Sequence, residues 1–442
     1  MLNKNLPAGA LEIINTLKNK GFQAWLVGGC LRDLLLKLPV EEWDITTSAR
    51  PEEVSKLFPK VIPTGIAYGT VMIILPDGEY EVTTFRSDAR YVDGRHPSNV
   101  VFTNDLHQDL SRRDFTINAL AYDPVTDQLI DDFNGQKDLQ NKIIRSVGNP
   151  QERFSEDGLR SVRACRFAAS LEFKIENETF AAIPKTLETS KKVALERIHD
   201  ELIKMLAARK PSIGLELMRQ GGLLNLFLPE LVACFGVEQP PQFHKYDVYW
   251  HSLYACDAAS RDNLIVRLAA LLHDVGKPPC KVDYTFYSHE RVSAEMSEKI
   301  LERLRFSHEE IKQVTNLIRN HMFEYTSDWS DAAVRRYLRR ISGIENVAPL
   351  FALRRADTEA MVKIDQGDYL AELQKRIDKI IEEENALNTS DLKVNGEDVM
   401  QVLNLTPGPM VGRILNFLLE KVLDDPKLNE RETLLALIKA YE

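Results

Sequence analysis

Two kinds of chemistry are written into this chain, and the first is concentrated between Gly28 and Asp44, GGCLRDLLLKLPVEEWD. Glu42 and Asp44 are two residues apart in a β-prone segment, and side chains at that spacing share one face of a strand. Paired carboxylates suit Mg²⁺, above all when the ion also binds a triphosphate. Upstream, the apolar run Ala24-Trp25-Leu26-Val27 ends at Gly28-Gly29, and a helical pattern of Leu31, Leu34 and Leu35 follows at once. A strand, a glycine turn and a helix start leave backbone N–H groups free for phosphate. Arg32, in the first turn of that helix, adds a fork-shaped cation matched to phosphate oxygens. Each half is common by itself, as a tight turn or as a solvated strand edge. Their adjacency, with Arg32 between them, favours a nucleotide site.

Three further segments fit such a site. Thr70 to Leu75 and Tyr80 to Phe85 read as a hairpin across Asp77-Gly78, which makes Glu81 either a third carboxylate beside the pair or an ordinary surface residue. Ser111-Arg112-Arg113-Asp114 with Asn118 either holds a ribose and phosphates or forms a surface ion cluster. Asp157 and Arg160 are three apart, so the spacing predicts one helical face, with Arg163 and Arg166 following. That pair is either a surface salt bridge or a base reader. An aspartate only accepts hydrogen bonds and an arginine only donates them. Cytosine and adenine each offer an amino donor beside ring acceptors, whereas guanine and uracil present the reverse order. One Asp–Arg pair therefore suffices to admit C and A without a nucleic-acid template.

The second chemistry is carried by His251, His273-Asp274, His289, His321 and Asp357, which use four of the nine histidines. Imidazoles and carboxylates converging between helices suit one or two divalent transition metals that activate water. A single histidine in a helical body is more often structural, but an ordered set of this kind is not.

The elements that must position these groups fall into two styles. The first ~140 residues read as a small mixed sheet with helices. Residues 86–102, RSDARYVDGRHPSNVVF, are polar and rich in turn formers, and are expected to be a loop over the site. From about Gln151 the pattern becomes helical and stays so, in amphipathic segments joined by short Pro- or Gly-containing loops. With 442 residues the chain exceeds a single core. Its 44% hydrophobic and 28% charged content is ordinary for a globular protein. There is no apolar run long enough to span a membrane and no signal-peptide core at the N-terminus. Five scattered cysteines point to reduced thiols and a cytoplasmic location. The net charge of −10 does not advertise a nucleic-acid partner, but clusters such as Arg160/Arg163/Arg166 and Arg335/Arg336/Arg339/Arg340 keep one open.

GGCLRD with its acid pair, TTFRSDARYVDGRHPSNVVF, RRDFTINA, RFSEDGLRSVRACRF, ERIHDELIKML and VNGEDVMQVLNLTPGPMVGRIL occur in an order that resembles the bacterial-type (class II) tRNA nucleotidyltransferases and their poly(A) polymerase relatives. The resemblance covers nearly the whole chain. It implies an α/β head over residues 1–140, a helical neck over 141–225 that recognises the base, a helical body over 226–365 and a tRNA-binding tail over 366–442. It implies that Gly29 and Arg32 hold the phosphates, that Glu42 and Asp44 hold catalytic Mg²⁺, and that Arg113, with Asp114 nearby, meets the ribose and phosphate. Asp157 and Arg160 are to read the base, supported by Arg163 and Arg166, and the loop at 86–102 is to reshape the pocket as specificity passes from C to A. The partners implied are tRNA, CTP and ATP, and the activity is CCA addition. An A-adding enzyme or a poly(A) polymerase would share every motif. The histidine series resembles the HD phosphohydrolase domain, with His251, His273, Asp274 and Asp357 as its metal ligands and His289 and His321 as further candidates. A rival of another class is an HD phosphohydrolase whose head senses nucleotide or RNA. One departure stands out: the family's Asp-x-Asp is Glu42-Trp43-Asp44 here, a methylene longer at its first acid.

Overall fold

The apolar run that precedes the glycine turn is strand β1 (Ala24–Val27), buried along most of its length. In the computed structural model it is joined by β2 (Trp43–Thr47), β3 (Val61–Gly65), β4 (Thr70–Leu75), β5 (Gly78–Thr84), β6 (Arg86–Asp88), β7 (Val100–Phe102), β8 (Ala121–Asp123) and β9 (Gln128–Ile130). Seven of these form one mixed sheet of order β3-β4-β5-β2-β1-β8-β9. β2 runs antiparallel to β1 and parallel to β5, which sets Asp44 opposite Glu81. The predicted hairpin is present with β4 and β5 antiparallel, closing at Leu75 opposite Gly78. Val27, Phe85, Leu106, Leu110 and Ala121 form a core cluster beneath the sheet.

The structure describes residues 6–88, 100–362, 369–382 and 387–441. The stretch expected to be a loop at 86–102 starts and ends as strand, because β6 and β7 pair antiparallel with Arg86 opposite Phe102. Its centre, 89–99, lies outside the described residues. The chain divides into two units, Met1–Val232 and Ala233–Glu442. The first unit continues past the sheet into helices Pro150–Glu156, Leu159–Leu171, Leu195–Leu206 and Pro211–Gln220. The second unit is helical. Val248–Ala258, Leu264–Leu272, His289–Arg303, His308–Asn320 and Val347–Glu359 supply its main buried faces.

One helix of this unit escapes periodicity. Val248–Ala258 is apolar almost all round, and it is marked by its cap, Asp247, which accepts from the Trp250 amide at 2.8 Å. Asp331–Arg340 carries the second arginine cluster, which the sequence left open as a nucleic-acid contact. Its cations turn to a neighbouring helix instead: Arg335 donates to the Leu423 carbonyl, Arg336 to Glu420 and Asp424, and Arg339 to Glu420 and Asn416. Those arginines dock the helix Pro409–Asp424. All five cysteines are unpaired thiols, and no described helix is long and apolar enough to cross a membrane.

Candidate functional site

The glycine turn is where the sheet, two acids and an arginine meet. Gly28 has φ 76°, a left-handed conformation that side chains disfavour, and it caps the helix Gly29–Leu36. A Cβ placed there would lie 2.8 Å from an Arg113 Nη and 3.3 Å from Asp44 Oδ2. Glycine is therefore required on both backbone and spatial grounds, and Arg113 and Asp44 are brought to the turn itself.

Glu42 lies just before β2 and is exposed, while Asp44 is half-buried on the strand. Burial lifts the Asp44 carboxyl above its ordinary range, and Glu42 adds to the lift against the pull of Arg113 and Arg32. Glu81 is raised too, by desolvation first and then by Asp44 and Glu42, although its side chain keeps an exposed face. Three carboxylates thus share one patch and lack the positive charge to satisfy it. That donor set, hard oxygens with a cation deficit, fits Mg²⁺. Glu81 is the third acid that the hairpin reading left undecided.

The arginines form a continuous chain of contacts behind the turn. Arg32 donates Nε and one Nη to Asp33 at 2.9 and 2.8 Å and its other Nη to Asn118 Oδ1 at 2.9 Å. Three of the five guanidinium N–H groups are then in use. Asn118 donates onward to Asp114 Oδ1 at 3.0 Å, and Arg163 donates Nε to Asp114 Oδ2 at 2.8 Å. Glu201 accepts from Arg163 at 3.3 Å and from Arg166 at 2.6 Å. Arg32, Arg163 and Arg166 all lie over the ring of Phe167, at 5.0, 5.3 and 3.7 Å. Asp114 is buried with both oxygens occupied. Desolvation opposes its charge, but Arg163 and the Asn118 hydrogen bond hold its carboxyl well below the usual range. Asp109, buried two turns of chain earlier, binds Arg112 at 2.9 Å and lies 3.7 Å from Arg113. Arg113 Nε has no hydrogen-bond partner, which leaves a donor available at the turn.

Asp157 and Arg160 depart from the one-face prediction. Asp157 sits between two helices, and the second, Leu159–Leu171, starts after Gly158. The two side chains do not pair. Asp157 is held by both Nη atoms of Arg197 at 3.1 and 2.7 Å, and its Oδ1 also accepts from the Leu159 amide at 3.0 Å. A carboxylate has about four acceptor sites, so one remains, on Oδ2. Arg160 is buried and donates to the carbonyls of Arg153 and Arg112, each at 3.0 Å, and to Glu156.

In the second unit the six predicted residues come together from separate helices. His251 Nε2 lies 3.3 Å from His273 Nε2, 3.0 Å from Asp357 Oδ1 and 3.6 Å from Asp274 Oδ2. His289 Nε2 is 3.3 Å from Asp274 Oδ1. Two candidate ligand groups result, His251/His273/Asp274 and Asp274/His289/His321, and they share Asp274. The Nδ1 atoms of His273, His289 and His321 face the carbonyls of Ala270, Phe286 and Ile318 at 2.8, 2.9 and 2.7 Å. A carbonyl only accepts, so each Nδ1 carries the proton and each Nε2 turns a lone pair inward. Lone pairs and carboxylates facing one another in a buried space need a cation. Apart from the ion pair with Lys277, neither Asp274 oxygen has a hydrogen-bond partner, nor has His289 Nε2, which fits metal ligation by these atoms. Without a metal, desolvation opposes charge on His273, but Asp274 and Asp357 raise its imidazole to about 10, so a metal ligand role for Nε2 requires that proton to be displaced. Lys277, ion-paired to Asp274 at 2.7 Å, was not singled out in the sequence. Gly276 lets this turn close on its neighbour: a Cβ would lie 2.5 Å from the Ser293 amide nitrogen.

Three family models match the chain. They are the poly A polymerase head domain over residues 24–145, the RNA and SrmB binding site of polymerase A over 172–235, and tRNA nucleotidyltransferase domain 2 over 285–438. The chain is 33% identical over 433 residues to the CCA-adding enzyme of Enterococcus faecalis, covering 97% of this chain and 95% of that protein. It belongs to the CCA-adding enzyme family. A second relative, the CCA-adding enzyme of Ligilactobacillus salivarius, is 48% identical over 219 residues, 49% of this chain and 54% of that protein. Among solved structures, the Bacillus stearothermophilus CCA-adding enzyme in complex with CTP superposes with TM-score 0.76 at 29% identity, over 98% of this chain and 96% of that one. The Thermotoga maritima CCA-adding enzyme complexed with tRNA shares the fold, with TM-score 0.59 at 20% identity over 100% and 98% of the two chains. This CCA-adding family member is a nucleotidyltransferase of tRNA processing. Residues 236–284, which carry His251, His273 and Asp274, fall between the second and third family matches.

Proposed function

We propose that the chain completes tRNA 3′ ends by adding C, C and A from CTP and ATP, with the first unit providing the whole reaction centre. The observation that carries this reading is the convergence of the glycine turn, Arg113 and Asp44 within contact distance. Residues 1–140 act as the catalytic head, 141–225 as the base-reading neck, 226–365 as the helical body and 366–442 as the tail that holds tRNA. The Gly29 amide, the remaining donors of Arg32 and the partnerless Nε of Arg113 bind the triphosphate. Glu42 and Asp44, with Glu81 beside them, hold Mg²⁺. When bound, the ion supplies positive charge for the phosphate oxygens and polarises the attacking hydroxyl.

The reaction these residues align is a displacement at phosphorus. The 3′-hydroxyl oxygen of the tRNA forms a bond to the α-phosphorus, the α–β anhydride bond breaks, pyrophosphate departs, and the hydroxyl proton is lost. Positioning and preset electrostatics provide most of the acceleration. The one acceptor site left on Asp157 suits a single amino group, which C and A have at that edge, and Arg160 donates to the ring acceptor beside it. Arg197 spends the other acceptor capacity of Asp157 and fixes its direction. Asp114, Asn118 and Glu201 position Arg163, Arg32 and Arg166. Incorporation of labelled CTP and ATP on tRNA ending at its discriminator base tests this. Stepwise addition of two C and one A is expected. ATP incorporation without CTP on that substrate would overturn the assignment in favour of an A-adding enzyme or a poly(A) polymerase.

The histidine cluster supports a second activity in the same chain, metal-assisted hydrolysis of a phosphate ester. His251, His273, Asp274 and Asp357 hold one divalent transition metal, with His289 and His321 extending the set around Asp274. When bound, such a metal would lower the pKa of a water held between these residues. In the reaction a water oxygen bonds to phosphorus, the ester P–O bond breaks, and the leaving alcohol takes up a proton. Unpaired cysteines and a tRNA substrate accord with a cytoplasmic setting.

A further inference from the structure

One buried acid of the first unit has no part in the reaction centre as drawn above. Asp109 lies on the short helix Leu106–Ser111, wholly excluded from solvent, between two leucines of the core cluster, Leu106 and Leu110. An ionised carboxylate in such a place is costly unless donors surround it. Desolvation opposes its charge, but Arg112 and Arg113 hold its carboxyl below the ordinary range.

The donors come from separate pieces of the site. Oδ1 accepts from Nε and an Nη of Arg112 at 3.0 and 2.9 Å and from the Arg86 backbone amide at 3.3 Å. Oδ2 faces the Thr46 hydroxyl at 3.1 Å and an Nη of Arg113 at 3.7 Å. Each partner leads to a working part. Thr46 stands two residues beyond Asp44 on β2, and therefore on the same face. Arg113 reaches the glycine turn. Arg86 opens β6, the first strand of the β6–β7 ribbon. The carbonyl of Arg112 accepts from Arg160 at 3.0 Å. A counter-ion for two arginines alone has no need of the Thr46 hydroxyl or the Arg86 amide. Those two contacts fix the carboxylate against the sheet and the ribbon, so the arginines it holds are fixed with it.

We infer that Asp109 is a positioning residue for nucleotide selection, holding Arg112, and through the Arg112 carbonyl Arg160, in register with Arg113 at the phosphate turn. Being wholly buried, it acts through these partners. The inference rests on the proposed reading of Arg160 as a base-facing donor.

The test is misincorporation of UTP against CTP on tRNA ending at its discriminator base. Asp109→Asn keeps the shape and loses the charge. It is expected to cut discrimination against UTP about tenfold and to raise KM for CTP about tenfold, with kcat within about threefold of wild type. Arg112→Gln removes the same link from its partly exposed end. It is expected to lose as much discrimination with a smaller rise in KM, because Arg113 keeps its partner. In an Arg160→Ala background Asp109→Asn is expected to remove no further discrimination, since both changes act through one contact. A loss that falls on kcat alone, or one that is as large in the Arg160→Ala background as in wild type, overturns the inference. So does intact discrimination in Arg112→Gln, which decides alone if Asp109→Asn does not fold. Intact discrimination in Arg160→Ala refutes the base-reading role of Arg160 itself, whereas intact discrimination in Asp109→Asn beside an impaired Arg160→Ala refutes only the role of Asp109.

Discussion

The two candidate centres solve the problem of clustered negative charge in opposite ways. In the first unit the acids stand on and just before the central strands β2 and β5, with Glu42 and Glu81 exposed and Asp44 half-buried. In the second, His251, His273 and Asp274 are almost wholly enclosed, and three of the imidazoles are fixed by backbone carbonyls. An open acid patch gains its cation together with a charged substrate, because both arrive from solvent. An enclosed imidazole set must be built around its cation and keep it between turnovers. Under the proposed function, the contrast predicts exchangeable Mg²⁺ in the head and a resident metal in the helical unit.

The largest effects are those that separate the two centres. Asp44→Ala is expected to lower CTP incorporation into tRNA by more than about a thousandfold, since it removes the acid nearest the phosphate turn. Phosphate release from a monoester by the same variant is expected to be unchanged. His273→Ala or Asp274→Ala produces the converse pattern. If one substitution abolishes both activities while the protein stays folded, the two-centre reading fails. Chelation sharpens the same contrast: brief EDTA treatment followed by added Mg²⁺ restores nucleotide addition, while phosphate release stays low until a transition metal is returned.

The next effect concerns the buried ion network of the first unit. Asp114→Asn leaves Arg163 without its main buried counter-charge, a loss of about 3–5 kcal/mol for breaking such a pair. The folded carboxyl is depressed, so its stabilisation is present above the unfolded value of about 3.9 and is lost as the pH falls below that toward the folded value. Denaturant midpoints followed from pH 7 down to pH 3 are therefore expected to drop steeply for wild type. The Asp114→Asn chain starts lower and drops less. Parallel curves for the two proteins would show that Asp114 is not the responsible group.

A smaller effect tests base reading. Arg160→Ala is expected to erode discrimination against UTP and GTP by roughly tenfold to a hundredfold, the range of one good bidentate contact. Arg197→Ala, which frees an acceptor site on each oxygen of Asp157, is expected to relax selectivity less and to raise KM for both correct nucleotides. Misincorporation assays on tRNA ending in its discriminator base measure both. Unchanged discrimination in Arg160→Ala would remove that residue from the base-reading role.

What was legible in the sequence follows from the range of the interactions involved. The strand, glycine turn and helix at Ala24–Leu36 are local, as is the β4–β5 hairpin, and each could be read from periodicity and turn residues, whereas the parallel β2–β5 register that sets Glu81 near Asp44 is long-range and left Glu81 undecided. Arg197 and Glu201 complete the proposed nucleotide site from some forty residues beyond Asp157 and Arg163, and no spacing rule connects such partners. The arginines of Asp331–Arg340 show the opposite failure. Four cations in one segment resemble a nucleic-acid face, but acids on Pro409–Asp424, eighty residues away, claim Arg336 and Arg339.

The smallest expected effect lies in the departure from the family's acid pair. Glu42 precedes β2 instead of lying within it, and its side chain is exposed. A residue outside the ladder can shift along the chain to absorb one methylene, whereas Asp44, paired in register with Glu81, cannot. Glu42→Asp is therefore expected to change the rate of CTP incorporation by less than about tenfold, under 1.4 kcal/mol of barrier. Asp44→Glu is expected to cost far more, because it pushes a longer acid toward the glycine turn that Asp44 Oδ2 already approaches at 3.3 Å from a Gly28 Cβ position. A large gain in rate for Glu42→Asp would mean that the longer acid detunes the head, and the open patch would then be as geometrically strict as the enclosed one.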